Sequence, residues 1–307
     1  MKHIIVTTTI HSPTKAIRLF IQKTGWDVII VGDKKTPHNE YKTLEKKHQN
    51  VLYLSPEDQE KKYSKLSDAI GWNSIQRRSI GFIEAFRNGA DIVATVDDDN
   101  IPYAHWGKNL LVGKTVTIEY YHAEAAVFDP LSVTPYSHLW YRGYPIDLLR
   151  DRLSVRHTGT TKRTVRVQAD LWDGDPDVDA IARMVYHPMV KFPKSTRPFA
   201  SDKISPFDSQ NTFISREIIP VYMMIPHIGR FDDIWASYIV QHYFPDSVAY
   251  CAPSVYQERN TQDIVQNLED EIIGYRYTYA LIKNLDNFMK VLPERSAEAY
   301  RLYRRYF

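Results

Sequence analysis

Apolar residues in the first hundred positions form short continuous runs separated by a stretch with helical spacing. Residues 3–9, 26–32 and 51–54 are compact and rich in β-branched or aromatic side chains, which predicts three buried strands. Between the first two we predict a helix, with Ser12 as its N-cap and Gly25 just past its end. Strand–helix–strand units build parallel sheets with right-handed crossovers, so the chain opens as an α/β fold.

A second helical pattern, over residues 73–89, leads into the apolar strand DIVATV and then into three consecutive aspartates. Asn73 is the predicted N-cap of this helix. The lysine-rich segment between the second and third strands predicts either a solvated loop or a frayed helix. The first hundred residues therefore resemble a nucleotide-binding half with a mostly parallel sheet flanked by helices.

The second half of the chain is less regular. Its patterns predict strands at 115–118, 165–168 and 210–215, and helices at 175–184 (with Asp175 as N-cap), 232–244, 261–285 and 294–306. No internal repeat and no obvious linker divides the chain, which favours one continuous domain with a helical C-terminal tail.

Charge and cysteine content exclude several classes of protein. The chain carries 39 basic and 37 acidic residues, so its net charge of +2 gives no field that favours nucleic acid or a membrane surface. No stretch reaches the ~20 apolar residues that a membrane-spanning helix needs. Cys251 is the only cysteine, which fits a reducing compartment, and we predict a cytoplasmic protein.

The three aspartates stand where open α/β sheets bind their ligands, at the carboxyl end of a strand. Asp97 and Asp99 project the same way if strand geometry persists, with Asp98 between them. Two hard oxygen donors on one side suit Mg²⁺ or Mn²⁺, which would also offset their mutual repulsion. The alternative is a solvated acidic turn that caps a following helix.

Other polar residues are predicted to reach the same edge of the sheet. Arg77 or Arg78, in the preceding helix, could pair with a diphosphate. Asp33 ends the second strand and could accept hydrogen bonds from a nucleobase or ribose, and Thr7 and Thr8 end the first strand. The alternatives are surface arginines and ordinary polar strand ends.

Asp232 and Asp233 open the predicted helix 232–244 and follow a glycine and an arginine in the sequence GRFDD. Acidic residues at this position are favoured by the helix macrodipole, so N-capping alone explains them. The combination of a glycine, an arginine and two acids at one point also favours a site, with one aspartate capping the helix and the other facing a cleft.

Five segments succeed one another over roughly residues 90–260. They are VATVDDDN (93–100), WYRGYPIDLLRD (140–151), LWDGDPDVDAIAR (171–183), PFDSQNTFISREIIPVYM (206–223) and IGRFDDIWASYIVQ (228–241). Taken together and in this order, they resemble the glycosyltransferases of the GT-A fold. More narrowly they resemble the reversibly glycosylated polypeptides, also called UDP-arabinopyranose mutases, and the plant STELLO proteins.

This resemblance implies a GT-A fold, a nucleotide-sugar donor linked to UDP, and Mn²⁺ or Mg²⁺. By position, Asp97 and Asp99 would be metal and ribose–diphosphate residues, with Asp98 beside them. Arg142 matches the arginine that becomes glycosylated in the plant mutases. Asp232 and Asp233 would lie in the sugar pocket, where one of them acts as a base or binds a sugar hydroxyl.

One departure affects the implied metal site. The family has a histidine near the end of this region, a plausible third ligand, whereas this chain has Gln257 at the corresponding position. The segment after RGYP also differs from the family's, which puts mutase activity and self-glycosylation in question more than the fold.

The leading hypothesis is a metal-dependent transferase that moves a sugar from a nucleotide-sugar to a hydroxyl of a glycan or other acceptor. The alternatives are a nucleotide-sugar mutase, or a non-catalytic scaffold that binds nucleotide-sugars and associates as a homo- or hetero-oligomer. We predict a catalytic domain over residues 1–260, with the C-terminal extension 261–307 packed on it.

Overall fold

The β-branched runs of the sequence build one large central sheet. In this computed structural model, residues 1–259 and 262–307 are described, and they contain the sheet's 11 strands. In chain order these are β1 (His3–Thr9), β2 (Trp26–Gly32), β3 (Val51–Leu54), β4 (Ile92–Val96), β5 (Asn100–Pro102), β6 (Thr115–Ala123), β7 (Val155–Thr164), β8 (Val167–Gly174), β9 (Phe199–Ser201), β10 (Asn211–Ser215) and β11 (Val248–Gln257).

Helices flank this sheet, as the α/β pattern predicts. They are α1 (Lys15–Ile21), α2 (His38–Lys47), α3 (Pro56–Ile70), α4 (Arg78–Arg87), α5 (Ala180–Tyr186), α6 (Asp232–Tyr243), α7 (Ile264–Lys283) and α8 (Glu294–Arg304). The predicted mixed α/β fold with a helical C-terminal tail is confirmed. Among the described residues, no helix combines the length and the apolar character that crossing a bilayer requires.

Strand order explains how distant segments reach one edge of the sheet. The order is β3-β2-β1-β4-β10-β8-β11-β9-β6-β7, with β5 paired to β11. The first four strands are parallel, as predicted, and β10 then runs antiparallel between β4 and β8. All five residues of β4 are buried, as expected for a central strand covered on both faces. The carboxyl end of β4 therefore lies between the carboxyl end of β1 and the first residue of β10, Asn211, which pairs with Val96.

The three predicted N-caps are wrong, because a second capping residue or a turn intervenes. α1 is capped by Thr14 rather than by Ser12, and α5 by Asp179 rather than by Asp175. Asn73 has a left-handed backbone (φ 56°) and lies in a turn that precedes α4. Capping side chains are common in loops, so composition alone does not say which of two neighbouring candidates meets the first helical N–H groups.

Sequence reasoning left α3 unassigned although the chain carries a clear signal for it. The hydroxyl of Ser55 accepts a hydrogen bond from the Asp58 backbone N–H, and the Asp58 carboxylate accepts one from the Ser55 N–H. Pro56 occupies the first turn. This capping box with an early proline is a strong helix start. The lysine-rich segment before it forms α2, which is closer to the helical alternative than to a solvated loop.

The C-terminal extension packs closely on the turn that precedes α6. The predicted boundary between residues 260 and 261 lies outside the described residues. Gly229 and Gly274 permit the contact: a Cβ on Gly229 would lie 1.8 Å from the Asp270 carbonyl oxygen, and one on Gly274 would lie 2.1 Å from the Phe231 ring. α7 thus fixes the position of residues 229–231, of which Gly229 and Arg230 line the site described below.

We expect Gly229→Ala to destabilise the protein by about 2–4 kcal/mol, measured by urea unfolding. The substitution adds overpacking against Asp270, roughly 1–3 kcal/mol, to the strain of a left-handed backbone (φ +62°). Gly89→Ala is the matched control, because Gly89 also has positive φ but nothing within 4 Å of its Cβ position. Equal losses in the two variants would contradict close packing of α7 on this turn.

Candidate functional site

The three aspartates follow β4 at the carboxyl edge of the sheet, and each accepts a hydrogen bond from a side chain of another element. Asp97 Oδ1 accepts a hydrogen bond from Arg78 Nη2 at 2.7 Å and forms an ion pair with it. Asp98 Oδ2 accepts one from the hydroxyl of Thr9 at 2.5 Å. Burial raises the pKa of Asp98. The protein itself therefore offsets part of the repulsion that adjacent carboxylates produce.

Within the described residues, the negative charge of Asp99 is not offset by an ion pair like the one that Asp97 forms with Arg78. Its Oδ1 accepts a hydrogen bond at 2.8 Å from Nε2 of Gln257, the last residue of β11. Gln257 pairs with Asn100 of β5, so the short strand after the aspartates holds the two side chains together. Burial, reinforced by the charge of Asp97, raises the pKa of Asp99 to about 7.

Asp97, Asp99 and Gln257 form a set of oxygen donors that fits a hard divalent cation. Within the described part of the chain, the buried Oε1 of Gln257 has no hydrogen-bond partner. A cation beside Asp99 would also oppose the burial and the Asp97 charge that raise its pKa. No three His, Cys, Asp or Glu side chains in residues 1–259 and 262–307 are grouped as an assembled metal centre. The side chains thus suit Mn²⁺ or Mg²⁺ without forming a closed cage.

A cavity of about 330 Å³ opens above these residues, a size typical of small-molecule sites. Its wall contains most of the residues that the sequence singles out: Thr8, Asp33, Arg77, Arg78, Asp97, Asp98, Asp99 and Gln257. Thr7, which is buried within β1, is not among the residues that line this cavity, and its contact with a nucleotide stays a prediction. We call this space the first cavity.

Asp33 fastens a loop at the wall of the first cavity. Its two carboxylate oxygens accept hydrogen bonds from the backbone N–H groups of Asn73 and Ser74, both at 2.9 Å. The backbone N–H of Lys34 donates to the same carboxylate at 2.6 Å. A nucleobase or ribose would therefore meet an Asp33 side chain that is already oriented by its own loop.

Arg77 and Arg78 are both buried, contrary to the alternative of surface arginines. Arg77 donates to Gln59 and Ser67, and its guanidinium stacks on Trp72 at 3.4 Å from the ring centroid. Arg78 binds Asp97 and four further oxygens from Thr8, Thr95 and Ser209. Their exposed fractions are 0% and 1%, so each holds the site together rather than projecting into it.

A second cavity, of about 350 Å³, adjoins the first. The two share part of their walls, namely Asn73, Ser74, Ile75, Asp97, Arg230 and Arg259. Arg142, Asp232 and Asp233 line the second cavity, so the structure brings these three predicted residues together with Asp97. Together the two spaces form one binding region, with Asp97 in the shared wall and Asp98 and Asp99 beside it in the first cavity.

Arg142 is clamped between two carboxylates at the bottom of the second cavity. Its Nε donates to Asp177 at 2.8 Å, and its Nη1 and Nη2 donate to the two oxygens of Asp233 at 3.0 and 3.1 Å. Nη1 also donates to the carbonyl oxygen of Arg230. Burial lowers the pKa of Arg142, but the charges of Asp177 and Asp233 outweigh it and raise that pKa well above the usual value. All three nitrogens are engaged, and the group stays charged.

Asp232 and Asp233 differ sharply although they are neighbours. Asp233 accepts hydrogen bonds from Arg142 and from the backbone N–H and hydroxyl of Ser209. Asp232 is bound by an uncharged side chain, Gln76, at 2.8 Å. Burial, reinforced by the charge of Asp233, raises the pKa of Asp232 to about 7. Neither aspartate is the N-cap of α6, which is Phe231, so the capping explanation is wrong.

Several lining residues escape sequence reasoning. Asp177 binds Arg142 and belongs to DGDPDVDA, whose alternating aspartates were a visible signal. Arg230 lies within GRFDD, and Arg259 lies two residues after Gln257. Gln76 gives no signal, because its role depends on a contact with Asp232 across 156 positions of the chain.

Comparison with known proteins identifies relatives by sequence. No protein-family model matches the chain. STELLO2 of Arabidopsis thaliana, named a probable glycosyltransferase, is 25% identical over 251 residues, which cover 77% of this chain and 30% of that protein. STELLO1 of the same plant, named likewise, is 24% identical over 194 residues, with coverages of 59% and 24%. The resemblance to STELLO-type glycosyltransferases is confirmed. The chain spans less than a third of either STELLO protein, and the resemblance to the mutases stays a prediction.

Solved structures of glucosyl-3-phosphoglycerate synthase from Mycobacterium tuberculosis are similar in fold. The complex with phosphoglyceric acid is 13% identical, with 92% of this chain and 79% of that one covered and a TM-score of 0.43. The complex with Mn²⁺ and UDP-glucose is 12% identical, with coverages of 89% and 77% and a TM-score of 0.43. The ligands in these complexes are those of the synthase.

Proposed function

We propose that the protein is a metal-dependent glycosyltransferase that takes a sugar from a UDP-sugar and gives it to a hydroxyl of an acceptor. The observation that carries this proposal is the pair of adjoining cavities with Asp97 in their shared wall. A nucleotide-sugar is an elongated ligand with a nucleoside, a charged diphosphate and a sugar in series. Two adjoining cavities suit that order, because the cation-binding donor set lies in the first cavity and reaches the shared wall through Asp97.

In this proposal the nucleoside lies in the first cavity and the sugar in the second. Thr8 and Asp33 line the first cavity beside the loop that Asp33 holds. Asp97, Asp99 and Gln257 would hold Mn²⁺ or Mg²⁺. When bound, such an ion supplies Lewis-acid stabilisation of the negative charge that develops on the leaving diphosphate. Arg78 fixes the orientation of Asp97 for this task.

Asp232 is the proposed general base. It removes the proton of the acceptor hydroxyl as that oxygen bonds to the anomeric carbon, while the bond from this carbon to the phosphate oxygen breaks. The nucleoside diphosphate leaves with the electron pair. A base with a pKa near the working pH is well matched to this proton transfer, and Asp232 has a pKa of about 7. Asp233, which Arg142 holds in place, contributes the negative charge that helps to raise the pKa of Asp232.

The mutase and scaffold alternatives receive no specific support. Self-glycosylation needs Arg142 to lose a proton before it attacks the sugar, and, despite burial, the charges of Asp177 and Asp233 raise its pKa well above the usual value. The cytoplasmic location, association into oligomers and a glycan acceptor stay predictions.

Calorimetric titration of UDP, GDP and CDP, each with and without Mn²⁺, tests the proposal. We expect UDP to bind most tightly and only with the metal ion. In Asp99→Asn the gain in affinity from Mn²⁺ should disappear, because the variant loses a charged oxygen ligand. Asp286→Asn, at an exposed carboxylate (91% of its side chain), is the matched control and should bind as the wild type does. Metal-independent binding of all three nucleotides, or no binding, would rule the proposal out.

A further inference from the structure

The diphosphate of a nucleotide-sugar needs a positively charged partner from the protein, and the structure narrows the choice of that partner. This inference rests on the proposed function, which puts the nucleoside in the first cavity and the sugar in the second. The diphosphate then lies at the wall that the cavities share. Arginine is the side chain best suited to grip two phosphate oxygens at once, because its terminal nitrogens form a planar fork.

The two arginines that the sequence favours for this role are already occupied. Arg77 donates through Nε, Nη1 and Nη2 to Gln59, Gly71 and Ser67. Both terminal nitrogens of Arg78 donate to protein oxygens, including Asp97. Each would have to give up buried hydrogen bonds before it could bind a phosphate, and breaking such bonds is costly.

The other cations near the junction are also restrained. Arg142 is held by Asp177 and Asp233. Arg259 is in the shared wall, but its side chain is only 10% exposed, its Nε lies 3.3 Å from the Asp175 carboxylate, and its Nη2 donates to the Pro176 carbonyl oxygen at 3.4 Å. Lys35 lines the first cavity without being among the residues that line the second, so it does not stand at the junction.

Arg230 differs from all of these. It lines both cavities, its side chain is 26% exposed, and its Nε donates to Glu271 Oε1 at 3.0 Å. Across residues 1–259 and 262–307, no hydrogen bond is made by Arg230 Nη1 or Nη2. The guanidinium is thus anchored by one nitrogen and presents its terminal fork at the junction.

Glu271 is a rigid anchor for this guanidinium. It is 1% exposed, and its carboxylate also accepts hydrogen bonds from the Ala180 N–H at 2.7 Å and the Tyr275 hydroxyl at 2.5 Å. The Arg230 backbone is fixed as well, because its carbonyl oxygen accepts from Arg142 and Gly229 packs on α7. Both ends of Arg230 are therefore held by buried groups.

We propose that Arg230 binds the diphosphate of the donor through Nη1 and Nη2, and that Glu271 in the C-terminal extension orients it for this contact. The extension then contributes to donor binding rather than only to packing. Arg230 would bind the negative charge of the phosphates. Its contribution to affinity should therefore be present for ligands that carry phosphate and absent for those that lack it.

Titration of UDP and of uridine, both with Mn²⁺, separates phosphate binding from nucleoside binding. We expect Arg230→Ala to weaken UDP binding by about 10- to 100-fold, the worth of charge-assisted hydrogen bonds, and to leave uridine binding unchanged. Arg230→Lys should recover part of the loss, because lysine keeps the charge without the fork. Arg197→Ala, at an arginine with 80% of its side chain exposed, should match the wild type for both ligands.

Each other outcome decides against the inference in a recognisable way. Unchanged UDP affinity in Arg230→Ala would show that another group binds the diphosphate. Equal losses for UDP and uridine would show that Arg230 only maintains the shape of the cavity. If the wild type bound neither ligand, the proposed function would fail first and this inference with it.

Discussion

Asp232→Asn should lower kcat for sugar transfer by about 10²- to 10⁴-fold, the usual contribution of a general base. Asparagine keeps the size of the side chain and its hydrogen bond to Gln76, but it cannot accept the acceptor's proton. UDP affinity should change little, because Asp232 lines the second cavity and is not among the residues lining the first. The measurement is steady-state transfer to an acceptor together with titration of UDP.

The dependence of kcat on pH tests the assignment of Asp232 as the general base in a second, independent way. Burial, and then the charge of Asp233, raises the pKa of Asp232 to about 7, so the carboxylate is protonated below that pH and ionised above it. Because a general base must be ionised, kcat should rise through pH 7 and fall about tenfold per unit below it. The acidic limb should be absent from the residual activity of Asp232→Asn, whereas Asp286→Asn should retain it. A limb that persists in Asp232→Asn would assign the base to another group.

Local patterns predicted the first strands to the residue. β1, β2 and β3 begin and end where their apolar runs do, because a buried strand needs apolar side chains along its whole length. The apolar run that forms β4 ends at Val96, so the sequence also predicted correctly that the aspartates follow directly after this strand. Helix starts were less predictable, since Thr14 and Asp179 compete with equally good capping residues nearby.

The partners of the site residues could not be read from the sequence. Asp97 and Arg78 are 19 positions apart, Arg142 and Asp177 are 35 apart, and Arg142 and Asp233 are 91 apart. Such contacts depend on strand order, which local periodicity does not specify. These contacts nevertheless set the chemistry of the site. They pair some charged groups, such as Arg142 with Asp233, and leave Asp99 and Asp232 with raised pKa values.

Arg142→Ala should destabilise the protein by about 3–5 kcal/mol, the usual cost of removing one partner from a buried ion pair. The loss is large because two buried carboxylates, Asp177 and Asp233, would remain without their cation. Urea unfolding followed by circular dichroism measures the change. Arg142→Lys should lose less, since it keeps a charge but cannot bind both carboxylates as the planar guanidinium does.

The exposed Arg197→Ala is the control and should unfold with the wild type.

The same network makes a second prediction, because, despite burial, the two carboxylates raise the pKa of Arg142 and a protonated guanidinium does not attack a sugar. Wild-type protein incubated with a labelled UDP-sugar should therefore carry no covalent label on the peptide that contains Arg142. A labelled Arg142 peptide would instead require the network to open and would favour the mutase, whereas loss of stability without labelling is what a structural clamp predicts.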